Sequence, residues 1–578
     1  MRIFTSDRSI PAPTYFARSD DKSSGAQAQL TAHPGREIGA PVVYTLAVSA
    51  HAHGSIDYDL PGDMDEDERA TLMSQALDVA LDAEARIQDL VVAFVGGRRE
   101  GGSMVVKTTS ATLRGIESIP FEIDITQTGS FPSFDIVGLP EHSARESRVR
   151  IRSAIRASGF EMQNKRVVIQ MAGDDHKEGP ATDLAVALGL LAMNGHLPGV
   201  DLSKLLILGE LSLSGNVLPV RGAICHAETA SKASKTVICS ASNADEAWGM
   251  TKHVIAGRTL RELVQNILQE SPFVSREPAD VLLGRGRMPC WSDVRGQEKA
   301  KMALEVAVAG GFRVLLNGPP GCGKTMLARR LPGIMPNMPA WESVESTKIA
   351  SVAGLLPRGV AMLTERPFRA PHHTGSTVSL VGGGARPRLG ELSLAHNGVL
   401  YLDELPEFSR SSIEAIAIPL DDGYISVCRN RSVTTFPAKT MLVAAANPCP
   451  CGFSGSTLHG CSCRDGAKKQ YSKRRADFAK ALGIDLTIEL EAQSPRDLKD
   501  QAAGETSEVV RRRVTRSQKM QRERYGCLIS GTDTPLAEAV AVVLATLDGR
   551  ATVKNSDLVY GSMLFGLTDN QDALEGRQ

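Results

Sequence analysis

A chain of 578 residues exceeds what one hydrophobic core supports, so several domains are expected. Its 42% hydrophobic and 23% charged residues fit an ordinary globular protein, and 65 basic against 66 acidic side chains exclude a chain-wide attraction to nucleic acid. No apolar run approaches the roughly 20 residues of a membrane span, and the opening MRIFTSDRSIPAPTYFARSD holds no apolar signal core, so a cytoplasmic location is expected.

Residues 1–103 run through Ser/Ala/Pro-rich sequence into the acidic DMDEDE (Asp63 to Glu68) and an Ala/Leu-rich, helix-like ERATLMSQALDVALDAEARIQDLVVAF. They carry no catalytic constellation; they read as an acidic extension, or as sequence upstream of a start at Met104. From there FEIDI, SFDIVGLP and RVVIQMA alternate as strands do, HSARESRVRIRSAIRASGF reads as a basic amphipathic helix, and TDLAVALGLLAMNG as a buried helix. An α/β domain over 104–272 is predicted, then a linker, a second α/β domain over 273–490, and a short, locally basic helical segment over 491–578.

VLLNGPPGCGKTMLARR fits strand, glycine-rich loop and helix, with G-x-x-x-x-G-K-T spanning Gly318, Pro319, Pro320, Gly321, Cys322, Gly323, Lys324 and Thr325. Backbone N–H groups of such a loop wrap phosphates, Lys324 neutralises the β/γ oxygens, and Thr325 ligates Mg²⁺, so ATP with Mg²⁺ is expected. About 80 residues on, HNGVLYLDELPEF ends a strand in Asp403 and Glu404: the first is suited to hold the metal, the second to polarise an attacking water. TMLVAAANP then ends a strand at Asn447, whose amide is placed to orient that water. Lys324, Glu404 and Asn447 are the predicted catalytic residues; together the strands describe an ATPase core of the AAA+ kind.

The segment RPFRAPHHTGSTVSLVGGGARPRLGELSLAHNGVLYLDELPEF resembles the signature of ComM/YifB-type, Mg-chelatase-like AAA+ proteins, as do FPSFDIVGLPEHSARESRVRIRSAIRASGF and LGELSLSGNVLPVRGA. The resemblance covers about residues 104–530. It implies a Lon-protease-like N-terminal α/β domain before the AAA+ core, a short helical C-terminal lid, a homo-hexameric ring, and a DNA-driven, helicase-like motor promoting branch migration without sequence preference. The alternatives are an ATP-binding regulatory or assembly protein without turnover, and the motor subunit of a metal chelatase. In KEGPATDLA the peptidase nucleophile position is Ala181, and His226 stands at the position of the paired lysine, so a noncatalytic Lon-like domain is expected. Adjacent His372 and His373 are expected to point to opposite sides of an extended loop and not to share a metal. The hairpin YISVCRNRSVTTFPAK offers Arg429, Arg431 and Lys439 to a DNA backbone, as hairpins of related ring motors do.

Two departures weaken the expected turnover. Gly483, in GIDL, stands where the family pattern has an arginine reaching a neighbour's γ-phosphate, with Arg474, Arg475 and Lys480 as the nearby cations. The second nucleotide-sensing arginine of the lid has no counterpart. Finally, Cys449, Cys451, Cys461 and Cys463 follow Asn447 as two Cys-x-Cys pairs; four thiolates suit structural Zn²⁺, with His459 as a spare ligand.

Overall fold

The computed structural model describes residues 104–128, 133–163, 165–171, 179–273, 289–384, 388–429, 432–455, 459–493 and 504–566, together with five strands within 1–60. The helix-like stretch after Asp63 and Arg431 lie outside the described residues. The chain divides into two compact units: Met1–Ser110, Phe121–Val217 and Gly257–Ser271 form one, and Ala111–Pro120, Leu218–Ala256 and Pro272–Gln578 the other.

In the first unit, strands Arg2–Thr5, Thr14–Arg18, Gln27–His33, Val43–Ala50 and Gly54–Leu60 form an antiparallel meander in sequence order, which the Ser/Ala/Pro-rich composition did not announce. Strand Arg166–Met171 pairs antiparallel with Glu117–Thr128 (Ile123 opposite Met171) and parallel with Phe134–Val137 (Phe134 opposite Val167). The alternation of FDIV and RVVIQM buries Phe134, Ile136, Val167 and Ile169 on one face. Helix Glu141–Ala157 turns Ala144, Ile151, Ala154 and Ile155 inward, at the spacing of a helical face. Helix Gly179–Met193 is buried nearly all round, and Arg150 on the first helix reaches its wholly buried Asp183 at 2.6 Å.

The second unit is built on a parallel sheet in the order Phe368–Arg369, Val399–Leu402, Met441–Ala446, Val314–Asn317, Leu486–Glu489. Numbered along the chain, that is 2-3-4-1-5. The central strands VLLN, VLYL and MLVAAA are buried almost throughout, which is why they read as continuous apolar runs with no alternation. Helix Glu298–Gly310 packs on this core with the C-terminal helices Ser507–Tyr525, Leu536–Leu547 and Asn555–Phe565. Gln518 and Gln521 donate to the carbonyls of Val308 and Ala309, at 2.8 and 3.1 Å, satisfying the buried end of that helix. Strands Tyr424–Arg429 and Ser432–Pro437 pair antiparallel as the expected hairpin.

Candidate functional site

Because the five strands run parallel, the segments leaving Asn317, Leu402 and Ala446 emerge at one edge of the sheet. The strand that precedes Asn447 lies between the other two, which puts Asn447 beside the loop that holds Lys324. Lys324 Nζ donates to Gly318 O (2.6 Å), Pro319 O (3.0 Å) and Asn447 Oδ1 (3.0 Å). Burial pushes this ammonium below the usual lysine range. Thr325 Oγ1 donates to Asp403 Oδ2 at 3.1 Å and lies 3.1 Å from the buried Tyr401 hydroxyl. The predicted phosphate, metal and sensing residues therefore come together.

Glu404 sits at φ +54°, a left-handed backbone that L-residues avoid unless the surroundings impose it. Its Oε2 is 3.3 Å from His373 Nδ1. The expectation for the histidine pair is corrected here: the two rings lie on the same side, 4.2 Å apart, because the segment turns, with Gly375 N bonded to His372 O, where an extended chain was assumed. His373 thus faces the acidic tip of the neighbouring strand. That contact was not legible in the sequence, since the 30 positions between the two residues carry no pattern that announces it.

The cysteine loop begins two residues beyond Asn447. All four sulfurs lie within 4.8 Å of one another. Cys449 is 3.4 Å from Cys451 and 3.7 Å from Cys461, and Cys451 is 3.6 Å from Cys461. A tetrahedral zinc site with bonds of about 2.3 Å has sulfur–sulfur edges of about 3.8 Å, so the spacing suits one ion. Backbone N–H groups of Ser454 and Cys451 point at Cys449 and Cys463, both at 3.3 Å, and donors from Phe453 and Ser462 pull the Cys451 thiol down to about 5. His459 packs its ring on Phe453 and is not one of the four clustered ligands. Gly452, at φ +85°, lets this loop press on the phosphate loop: a Cβ there would lie 2.5 Å from Pro320 Cδ.

Comparison with known proteins agrees with this geometry. A family profile described as "Magnesium chelatase, subunit ChlI" matches residues 290–498, and one described as "Subunit ChlI of Mg-chelatase" matches residues 122–243. YifB, an uncharacterized protein of Escherichia coli, is 36% identical over 435 residues, which are 75% of this chain and 85% of YifB. Competence protein ComM of Haemophilus influenzae is 36% identical over 422 residues, 71% of this chain and 82% of ComM. The chain belongs to the ComM/YifB-type, Mg-chelatase-like family. It is also 29% identical over 142 residues to Lon protease 2 of Bacillus subtilis, matching 24% of this chain and 26% of that protease.

At the positions where the sequence led us to expect a departure, the structure shows what each residue does instead. Gly483 follows helix Asp465–Ala481 at φ +61°, and its N–H closes the last turn on Lys480 O at 3.1 Å. A Cβ at this position would lie 2.9 Å from Arg313 Nη1. Arg313 donates to Leu482 O (3.0 Å), Leu420 O (2.9 Å) and Asp421 Oδ1 (2.7 Å), filling the space beside the glycine. Arg475 turns toward the sheet edge of its own chain, with Nη1 2.8 Å from Asn317 Oδ1, whose Nδ2 donates to Glu489. Arg474 donates to Phe408 O at 2.8 Å, and Lys480 is exposed. In the C-terminal helices Arg511 bonds Gly333 O and Asn337, Arg513 pairs with Glu305 and Glu505, and Arg516 bonds Leu547 O, so all three serve packing.

Of the hairpin cations, Arg429 ends the first strand opposite Ser432. Lys439 is exposed, and its backbone is tied to His396 and Asn397. His226 is buried and lies 2.7 Å from Ser118 Oγ in the same unit. Ala181, at the nucleophile position, opens a buried helix that offers no thiol or hydroxyl there.

Proposed function

We propose that the second unit binds ATP in a homo-hexameric ring that engages DNA, as a branch-migration motor of the ComM type with slow turnover. The observation that carries this reading is the convergence of Lys324, the Thr325–Asp403 pair and Asn447 on one edge of a 2-3-4-1-5 sheet. Lys324 holds loop carbonyls where phosphate oxygens would replace them. Thr325 and Asp403 would hold Mg²⁺, which spreads the charge developing on the β/γ-phosphates. Glu404 is the base that polarises water, Asn447 orients it, and His373 is the partner Glu404 must release or retain as the site fills. Cys449, Cys451, Cys461 and Cys463 would hold a structural Zn²⁺ that braces the loop against Pro320.

Slow turnover follows from position 483. An arginine supplied across an interface contributes about 10³ to 10⁵ in rate, and here the position is glycine while Arg313 is committed to three intrachain acceptors. That same observation supports a second reading, an ATP-binding assembly protein without turnover. Both are tested by measuring nucleotide binding and phosphate release with a branched DNA. Parent protein and Glu404→Gln should bind ATP alike while Lys324→Ala loses binding at least tenfold. Release by the parent should stay below about 0.1 per second, low against typical enzymatic turnover. Brisk, DNA-stimulated release abolished by Glu404→Gln would refute slow turnover; DNA-independent, unmeasurable release would favour the assembly protein.

A further inference from the structure

Helix Glu141–Ala157 carries Arg148, Arg152 and Arg156 at i, i+4 and i+8, one above another on a single face. Its other arginines have partners: Arg145 pairs with Glu141 at 2.7 Å and Arg150 with Asp183 at 2.6 Å. Among the described residues the three stripe arginines make no ion pair, and Arg148 Nε is buried without any hydrogen-bond partner. Like charges at this spacing repel along the helix, so the stripe brings the fold no stability by itself. Four residues rise about 6 Å, so positive charge repeats in steps of that size along the face.

The stripe runs into a cleft of about 340 Å³ that Arg152 and Arg156 line together with Lys165, which precedes strand Arg166–Met171. All three are exposed. The floor is apolar, with Phe134 and Ile155 buried, while Phe160 and Met162 are half-buried among the lining. Phe160 is steadied by the His196 ring 5.2 Å away, whose Nε2 lies 2.9 Å from Glu161 O. Glu161 is the one carboxylate among the lining residues; nearby Asp135 is occupied by Ser133 at 3.0 Å and by Arg166 at 3.6 Å.

We propose that this face of the first unit binds single-stranded nucleic acid, with phosphates on the arginine stripe and Lys165 and an unpaired base against Phe160 and Met162. Spaced guanidinium groups beside an aromatic and a thioether match what a single strand offers, alternating charge and flat apolar surface. This site depends on neither the ATP pocket nor the hairpin, and its binding requires no ATP.

The test uses the full-length protein, a 5′-labelled 20-nucleotide thymidine strand and fluorescence anisotropy across a salt titration without nucleotide. Arg152→Glu with Arg156→Glu should weaken binding at least tenfold and flatten the logarithmic salt slope by about 1.4, as loss of two phosphate contacts on a single strand requires. Arg152→Lys with Arg156→Lys should stay within threefold of the parent. Phe160→Ala should weaken binding severalfold at unchanged salt slope, the mark of stacking. Parent-like binding by the charge-reversed protein would overturn the proposal. So would displacement of the strand by thymidine monophosphate or polyglutamate at equal charge concentration, which would mark a small-anion or acidic-peptide site. Should charge reversal lower the melting temperature sharply, Lys165→Gln and Phe160→Ala decide: parent-like affinity in both overturns the proposal. ATP binding by every variant in the first unit should match the parent, so failure here is distinct from failure of the ATPase reading.

Discussion

His226 is a residue that the sequence locates but whose surroundings only the fold reveals. It stands where a peptidase would hold a lysine, yet it is buried, paired with Ser118 at 2.7 Å, and pushed down to about 4 by burial. A base whose folded pKa lies below its unfolded value makes the unfolded chain the better proton acceptor between the two. Stability should therefore fall as pH drops from about 6.5 toward 4, by up to about 3 kcal/mol from this residue. His226→Gln, which cannot take up the proton, should show a flatter dependence. The measurement is the difference between the two proteins' thermal-melt curves from pH 7 to 5; parallel curves would show that His226 does not sense this range. At the same scale, Lys324 illustrates a half-buried charge whose burial is offset by the carbonyl oxygens of Gly318 and Pro319.

The cysteine loop shows how one element can act on another. Its two Cys-x-Cys pairs were legible because ligand type and spacing carry the chemistry, but their target was not. Contact with the phosphate loop depends on Gly452, where a side chain would run into Pro320. Zinc bound here should therefore stiffen the nucleotide loop. Protein prepared without chelator is expected to hold one zinc per chain by metal analysis. Cys449→Ser with Cys463→Ser should lose it and bind ATP about tenfold more weakly; Gly452→Val should weaken ATP while keeping zinc, because it displaces Pro320 without touching a thiolate. Zinc-free protein binding ATP as tightly as the parent would separate the two elements. Gly483 belongs to the same scale. Read along the chain it is a missing arginine, whereas in the fold it is a helix C-terminus in left-handed conformation beside the guanidinium of Arg313.

At the scale of the whole molecule, balanced charge leaves any nucleic-acid contact to local surfaces, and a P-loop site with no arginine at 483 leaves assembly and turnover separable. ATP with Mg²⁺ should shift the protein in sedimentation from the 61.8 kDa chain toward six times that mass, and Lys324→Ala should abolish the shift. A parent protein that remains monomeric with saturating ATP would remove the ring from the proposed mechanism. Among the described residues no helix is long and apolar enough to cross a membrane. Sequence alone determined the P-loop, the acidic strand end, the asparagine tip and the paired cysteines, because in each the separation along the chain already sets the geometry. Only the tertiary structure decided that His373 meets Glu404, that Arg475 reaches Asn317, that Arg313 fills the space at Gly483 and that Ser118 partners His226. Those contacts join residues far apart in sequence, and nothing but the packing of buried strands and helices brings them within hydrogen-bonding distance.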